Sequence, residues 1–103
     1  MTTIIDCKGR ADLATLPALQ SDLLTTLERA DSVSLCLAEI ENADLGFLQL
    51  IEAARLYAAR LGKSLQLAMP APQPLRQVLD ASGLLAQRTP DDLAFWLHEG
   101  DVR

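Results

Sequence analysis

The sequence predicts an α/β domain with at least partly parallel strands, and three observations predict it. Short segments rich in β-branched residues alternate with longer ones whose apolar residues recur every three or four positions. Glycine or proline marks the changeovers, at Gly9, Pro17, Gly62, Pro70 to Pro74 and Gly83. The chain has 103 residues, half of them apolar, which is enough for one packed core without a disulfide or a metal. Residues 1–103 are therefore expected to form a single domain, with about four strands in a small mixed sheet covered by about four helices.

Each element follows from local chemistry. Thr3 to Cys7 is short and β-branched and reads as a first strand that ends before Gly9. Thr15 is placed to cap the next helix, Pro17 fits its first turn, and Leu16, Leu19, Leu23 and Leu27 share one face. Val33 to Ile40 carries apolar residues at both parities, as expected of a central strand covered on both faces. The turn Glu41, Asn42, Ala43 and Asp44 leads into a long helix from Leu45 to Leu61, closed by Gly62. Ser64 to Met69 is a further strand, and the prolines from Pro70 to Pro74 lead into a helix that runs to Ser82 and stops at Gly83. Leu75, Val78 and Leu79 are expected to point inward. Thr89, Pro90, Asp91 and Asp92 start a last helix, docked by Leu93, Trp96 and Leu97 and ended by Gly100. The strand-helix-strand unit from Val33 to Met69 is expected to cross over right-handedly.

Composition excludes several function classes. Nine basic against fourteen acidic residues give a net charge of −5. With the cations scattered, no basic face is available for nucleic acid. Apolar runs are interrupted by charge before they reach the roughly 18 residues of a membrane span, and no basic leader opens the chain, so the expectation is a cytoplasmic protein without membrane insertion. Cys7 and Cys36 form no CxxC pair, and both read as reduced thiols in buried strands, a disulfide between them being the alternative.

Chemistry is sparse. The one histidine, His98, lies on the terminal helix far in sequence from either cysteine, so no hydrolytic triad can be assembled, and it is expected to act as a cation near a helix carboxyl end. Glu39, Glu41 and Asp44 cluster where the central strand meets the long helix. A hard cation is one use for three carboxylates. The preferred reading leaves Glu39 and Glu41 in solvent and gives Asp44 the helix cap. An anion site at the same helix start is opposed by that cap, by the two glutamates and by the lack of a Walker lysine or a GxGxxG run. No cofactor is expected.

The long helix is more informative. Phe47, Leu50, Ile51, Ala54, Ala58 and Leu61 fall on one face, with Tyr57 at its margin, and suffice to dock it on the sheet. Leu45, Leu48, Leu56 and Ala59 fall on the other, among Gln49, Glu52, Arg55 and Arg60. An apolar patch rimmed by charge is how a partner surface looks.

The order of these elements, the segment Asp44-Leu45-Gly46-Phe47-Leu48-Gln49-Leu50 and the stretch Pro74-Leu75-Arg76-Gln77-Val78-Leu79 through Ser82-Gly83-Leu84 together resemble the STAS family, the domain shared by sulphate transporters and bacterial anti-sigma factor antagonists. The resemblance covers nearly the whole chain. Antagonists of this family begin the long helix with an Asp-Ser-Ser-Gly-Leu type motif, whose second serine is phosphorylated by a partner kinase that is also the anti-sigma factor. Aligned residue by residue, Asp44 matches the aspartate, Leu45 the first serine, Gly46 the phosphoacceptor, Phe47 the glycine and Leu48 the leucine. Gly46 has no hydroxyl, so the covalent switch is absent here. The Asp-Leu-Gly-Phe form is similar to the Asp-Leu-Ser-Phe variants of small STAS proteins that accompany chemotaxis or histidine-kinase systems.

The resemblance implies a non-catalytic module that docks to a signalling protein of the anti-sigma factor or histidine-kinase kind. Asp44 and Gly46 would supply shape and Leu45, Leu48 and Glu41 contact, within the loop Asn42 to Phe47 and the stripe of the helix that follows. The alternative it implies is an accessory STAS subunit of a lipid or anion transport system. A homodimer is left open.

Overall fold

The computed structural model describes residues 2–11, 14–83 and 90–98. Three strands and four helices alternate: β1 (Thr2–Ala11), α1 (Leu16–Arg29), β2 (Ser32–Ala43), α2 (Leu45–Arg60), β3 (Ser64–Leu67), α3 (Gln73–Ser82) and α4 (Pro90–Leu97). The α/β class holds. The described sheet has three strands in the order β1-β2-β3 and both pairings are parallel, against the mixed sheet of about four strands that the sequence predicts. β2 is the central strand, as its composition requires.

The strands differ in length from their sequence limits for physical reasons. β1 continues through Gly9, whose φ of +70° needs a residue without a β-carbon. β2 reaches Ala43, so Glu41, Asn42 and Ala43 are strand and not turn. β3 stops at Leu67, and Met69 lies beyond it, 37% exposed.

One face of the sheet carries the core. Ile5 is in register with Leu35, and Leu35 with Leu67, and all three pack into or against the buried cluster. On the opposite parity Ile4 is 67% exposed, Ser34 is buried, Cys36 is half-buried and Ala38 is exposed. β2 is thus fully covered on one face only. Ile40 still returns to the core, at 7% exposure, because the ladder steps from Asp6 opposite Cys36 to Lys8 opposite Glu39. That extra residue in β2 is a bulge, and it exchanges the two faces beyond it.

The helices meet this face through the residues their periodicity selects. Leu23 and Leu27 of α1, Phe47, Ile51, Ala54 and Ala58 of α2, and Leu75 and Leu79 of α3 are buried, with Val78 half-buried against them. Two expectations fail at helix ends. Thr15 does not cap α1: its hydroxyl donates to the Arg10 carbonyl at 3.0 Å. Leu61 is 42% exposed, since α2 has ended one residue earlier. Beyond Gly62, at φ +71°, Lys63 turns back and its ammonium donates to the carbonyls of Leu27 and Glu28, which α1 leaves unpaired at its C-terminus.

α4 begins at Pro90 and buries Phe95, Trp96 and Leu97. His98 is past its end, at φ +54°, and its Nε2 donates to the Leu67 carbonyl at 3.1 Å. His98 thus lies at the carboxyl end of α4, where its place in the sequence put it, and its ring also ties that end of the helix to β3. Leu84, Thr89, Gly100 and the side chains of Asp91 and Leu93 lie outside the described residues.

Candidate functional site

The site begins where β2 gives way to α2. Asp44 is extended, with φ −123° and ψ −179°, and its carboxylate accepts from the Phe47 backbone N–H at 3.0 Å. This is an N-cap, which satisfies one donor of the first turn and places negative charge at the positive end of the helix. Phe47, wholly buried, fixes the turn to the core. The geometry leaves little for an anion to bind, since the cap already uses the donor.

Around this anchor the predicted site residues separate. Glu41 and Asn42 are exposed at the end of β2, and Leu45 is 49% exposed on the first turn of α2. Gly46 is half-buried, and a β-carbon there would meet Leu16 Cδ1 at 3.0 Å and Asp44 Oδ1 at 3.2 Å. A side chain at position 46 therefore requires the flexible tip of Leu16 to move.

Leu48 corrects the sequence reading. It is only 2% exposed, so it serves the core and not an outer stripe. The cause is α4. Glu52 lies one turn after Leu48 on the same flank, and its carboxylate accepts from Trp96 Nε1 at 2.8 Å. Arg55, expected in solvent, donates to Glu52 at 3.0 Å and to Asp92 at 3.2 Å, with its guanidinium 4.2 Å from the centre of the Phe95 ring. Trp96 stacks edge-on against Phe95 at 5.0 Å. Sequence reasoning missed this clasp. One signal was present: a tryptophan buried by its amphipathic setting needs an acceptor for its indole N–H, and Glu52 is the acceptor on the facing helix.

What stays open is a groove of about 630 Å³, bordered by Leu45, Gln49, Ala53, Leu56 and Ser82 with Leu48 at its floor. Leu56 is 68% exposed. A second, smaller cavity of about 340 Å³ lies between α1 and α2 beside Leu24 and Tyr57, and it also touches Ala53 and Leu56. The apolar surface thus continues from the start of α2 across its middle toward α1.

Glu39 is exposed and its nearest cation is Lys8, at 3.9 Å. Among the described residues no three His, Cys, Asp or Glu side chains gather as a metal ligand set. Both cysteines are free thiols, which closes the disulfide alternative. Burial pushes the Cys7 thiol up to about 11, and Asp6 adds to the rise. Cys7 is therefore protonated and inert at neutral pH. No described helix is long and apolar enough to cross a membrane.

The comparisons with known proteins agree with this architecture. A search of curated proteins finds no match. The family model described as "Mlab, STAS domain" matches residues 2–86, most of the chain and all of the segment from β1 through α3. The chain belongs to the STAS domain family, which includes anti-sigma factor antagonists and the STAS domains of anion transporters.

Proposed function

We propose that this protein is a non-catalytic docking module of the cytoplasm that binds a signalling protein, of the anti-sigma factor or histidine-kinase kind, through the start and open flank of α2. The observation that carries the reading is the apolar groove beside Leu45 and Leu56, set next to exposed Glu41 and Asn42 and built on the capped turn at Asp44. Exposed leucines bordering a groove, with charge at the rim, match the anatomy of a protein interface: an apolar centre and a polar margin. Leu45, Leu56 and Gln49 make contact, Glu41 and Asn42 form the rim, and Asp44, Gly46, Phe47 and Leu48 hold the shape from beneath.

Gly46 makes this binding constitutive at the position where the resemblance expects a phosphoacceptor. No phosphoryl group can be added there to eject a partner by charge repulsion. The groove, apolar apart from Glu52, Gln49 and Ser82 in its lining, also favours a second reading, an accessory subunit of a lipid or anion transport system. The two predict different prey. Affinity capture with the wild-type chain, compared with Leu45→Asp and Leu56→Asp, is expected to retain a sensor kinase or anti-sigma factor on the wild type alone. Recovery of a transporter ATPase with the same dependence on Leu45 and Leu56 would establish the second reading. Capture unaffected by either substitution would refute the surface.

A further inference from the structure

The two edges of the sheet are treated differently. The β3 edge is four residues long, and His98 occupies its outward carbonyl at Leu67. The β1 edge is ten residues long, and among the described residues β1 pairs with β2 alone. A long edge strand presents a row of unpaired N–H and C=O groups, which proteins ordinarily shorten, cover or charge. We propose that the outer edge of β1 is a homodimer interface, two copies pairing antiparallel about Cys7 so that Asp6 of each faces Lys8 of the partner subunit.

Charge selects this register. An isologous antiparallel pair keeps side chains on matching faces only when a residue lies on the two-fold axis. An axis at Asp6 sets two aspartates against each other, and an axis at Lys8 sets two lysines against each other; like charges directly opposite are destabilising. An axis at Ile4 or Ile5 leaves Asp6 opposite Thr2 or Ile4 of the partner subunit. An axis at Cys7 forms two Asp6–Lys8 pairs at once.

The surroundings agree. Asp6 and Lys8 are both exposed on the uncovered face. Among the described residues Lys8 makes an ion pair with Glu39, at 3.9 Å. Pairing would extend that contact into an alternating row: Glu39, Lys8, then Asp6 of the partner subunit. On the core side, Ile5 would face the partner's Gly9, where the space a β-carbon would occupy is empty within 4 Å. A groove of about 170 Å³ opens there between β1 and α1, beside Ile5, Cys7, Leu19 and Asp22. Main-chain hydrogen bonds would supply affinity and the charged pairs the register.

Sedimentation equilibrium of the full chain tests this, using D6K, K8D and the double variant D6K/K8D. The wild type is expected to be a dimer whose dissociation rises with salt. Either single reversal replaces two attractive pairs by two repulsive ones and should weaken dimerisation by roughly tenfold or more. The double variant restores both intersubunit pairs in mirrored order and should associate more tightly than either single variant, short of the wild type because the carboxylate introduced at position 8 faces Glu39. It also keeps the wild-type net charge, so recovery cannot come from a change in overall charge. A wild type that stays monomeric to the solubility limit overturns the interface. Single variants that dimerise like the wild type, or a double variant that fails to recover, overturn it as well.

Discussion

Two stretches of the outer flank of α2 meet opposite fates. Around Glu52 and Arg55 the flank is covered by α4: the carboxylate holds the Trp96 indole and the guanidinium lies on the Phe95 ring and reaches Asp92. Around Leu45 and Leu56 the flank is open, with leucines 49% and 68% exposed. On this flank Glu52 and Arg55 are the partly covered residues, while Leu45 and Leu56 are the exposed ones. A partly buried charge is tolerated when it is fully paired. A solvent-facing leucine with no internal partner has nothing to stabilise until something docks on it.

The contrast is broken most severely at Trp96. Trp96→Ala removes the largest wholly buried side chain and the N–H held by Glu52, and it is expected to cost about 3–5 kcal/mol in urea unfolding. A loss below about 1 kcal/mol would mean that α4 is peripheral and the covered half of the flank is not part of the core. Next comes a matched pair that sharpens the boundary between the halves. Leu48→Asp buries an unpaired carboxylate and should destabilise by about 3 kcal/mol or more, whereas Leu45→Asp should change stability by less than about 0.5 kcal/mol. Similar losses from both would erase the distinction.

Smaller effects follow at the hinge between sheet and helix. Asp44→Ala removes the cap on Phe47 N–H and should cost about 1 kcal/mol, read as a shift in the unfolding midpoint. The smallest concerns the two thiols. Cys7 is buried with its thiol raised to about 11, while Cys36 is half-buried, so iodoacetamide at mildly alkaline pH should alkylate Cys36 first. Folding holds the Cys7 proton more tightly than the unfolded chain does. Its contribution is therefore complete below the ordinary thiol range and declines as pH climbs from about 9 toward about 11. Pulsed alkylation followed by peptide mapping, and unfolding midpoints across that range, check both statements.

Much of the fold was legible. Leu23 and Leu27, Phe47 and Ile51, and Leu75 and Leu79 are core residues because their spacing offers one apolar face, and a helix can bury only one stripe against a sheet. The cap at Asp44 was legible because a short acidic side chain before a periodic run has one economical use. Leu48 was not. Its angular position put it opposite Phe47's partners, and only helices arriving from later in the chain, α3 beside Ser82 and α4 at Trp96, make that flank partly interior. Thr15 shows the same limit in small: its type fits a cap, but the Arg10 carbonyl was within reach and took the hydroxyl. The candidate site was proposed from its acidic residues and the Asp-Leu-Gly-Phe peptide, while its extent along α2 depended on which leucines the later helices left uncovered.

The sequence by itself determined the alternation of strands and helices, the inward stripe of each helix, the helix start at Asp44 and the absence of a hydroxyl at Gly46, because periodicity, capping and side-chain chemistry act within a few residues. Tertiary structure alone decided that both described pairings are parallel where a mixed sheet was expected, that a bulge returns Ile40 to the core and that Trp96 reaches Glu52 across 44 positions of chain. Those outcomes depend on competition among distant segments for the same apolar surface, and no local pattern encodes which segment arrives.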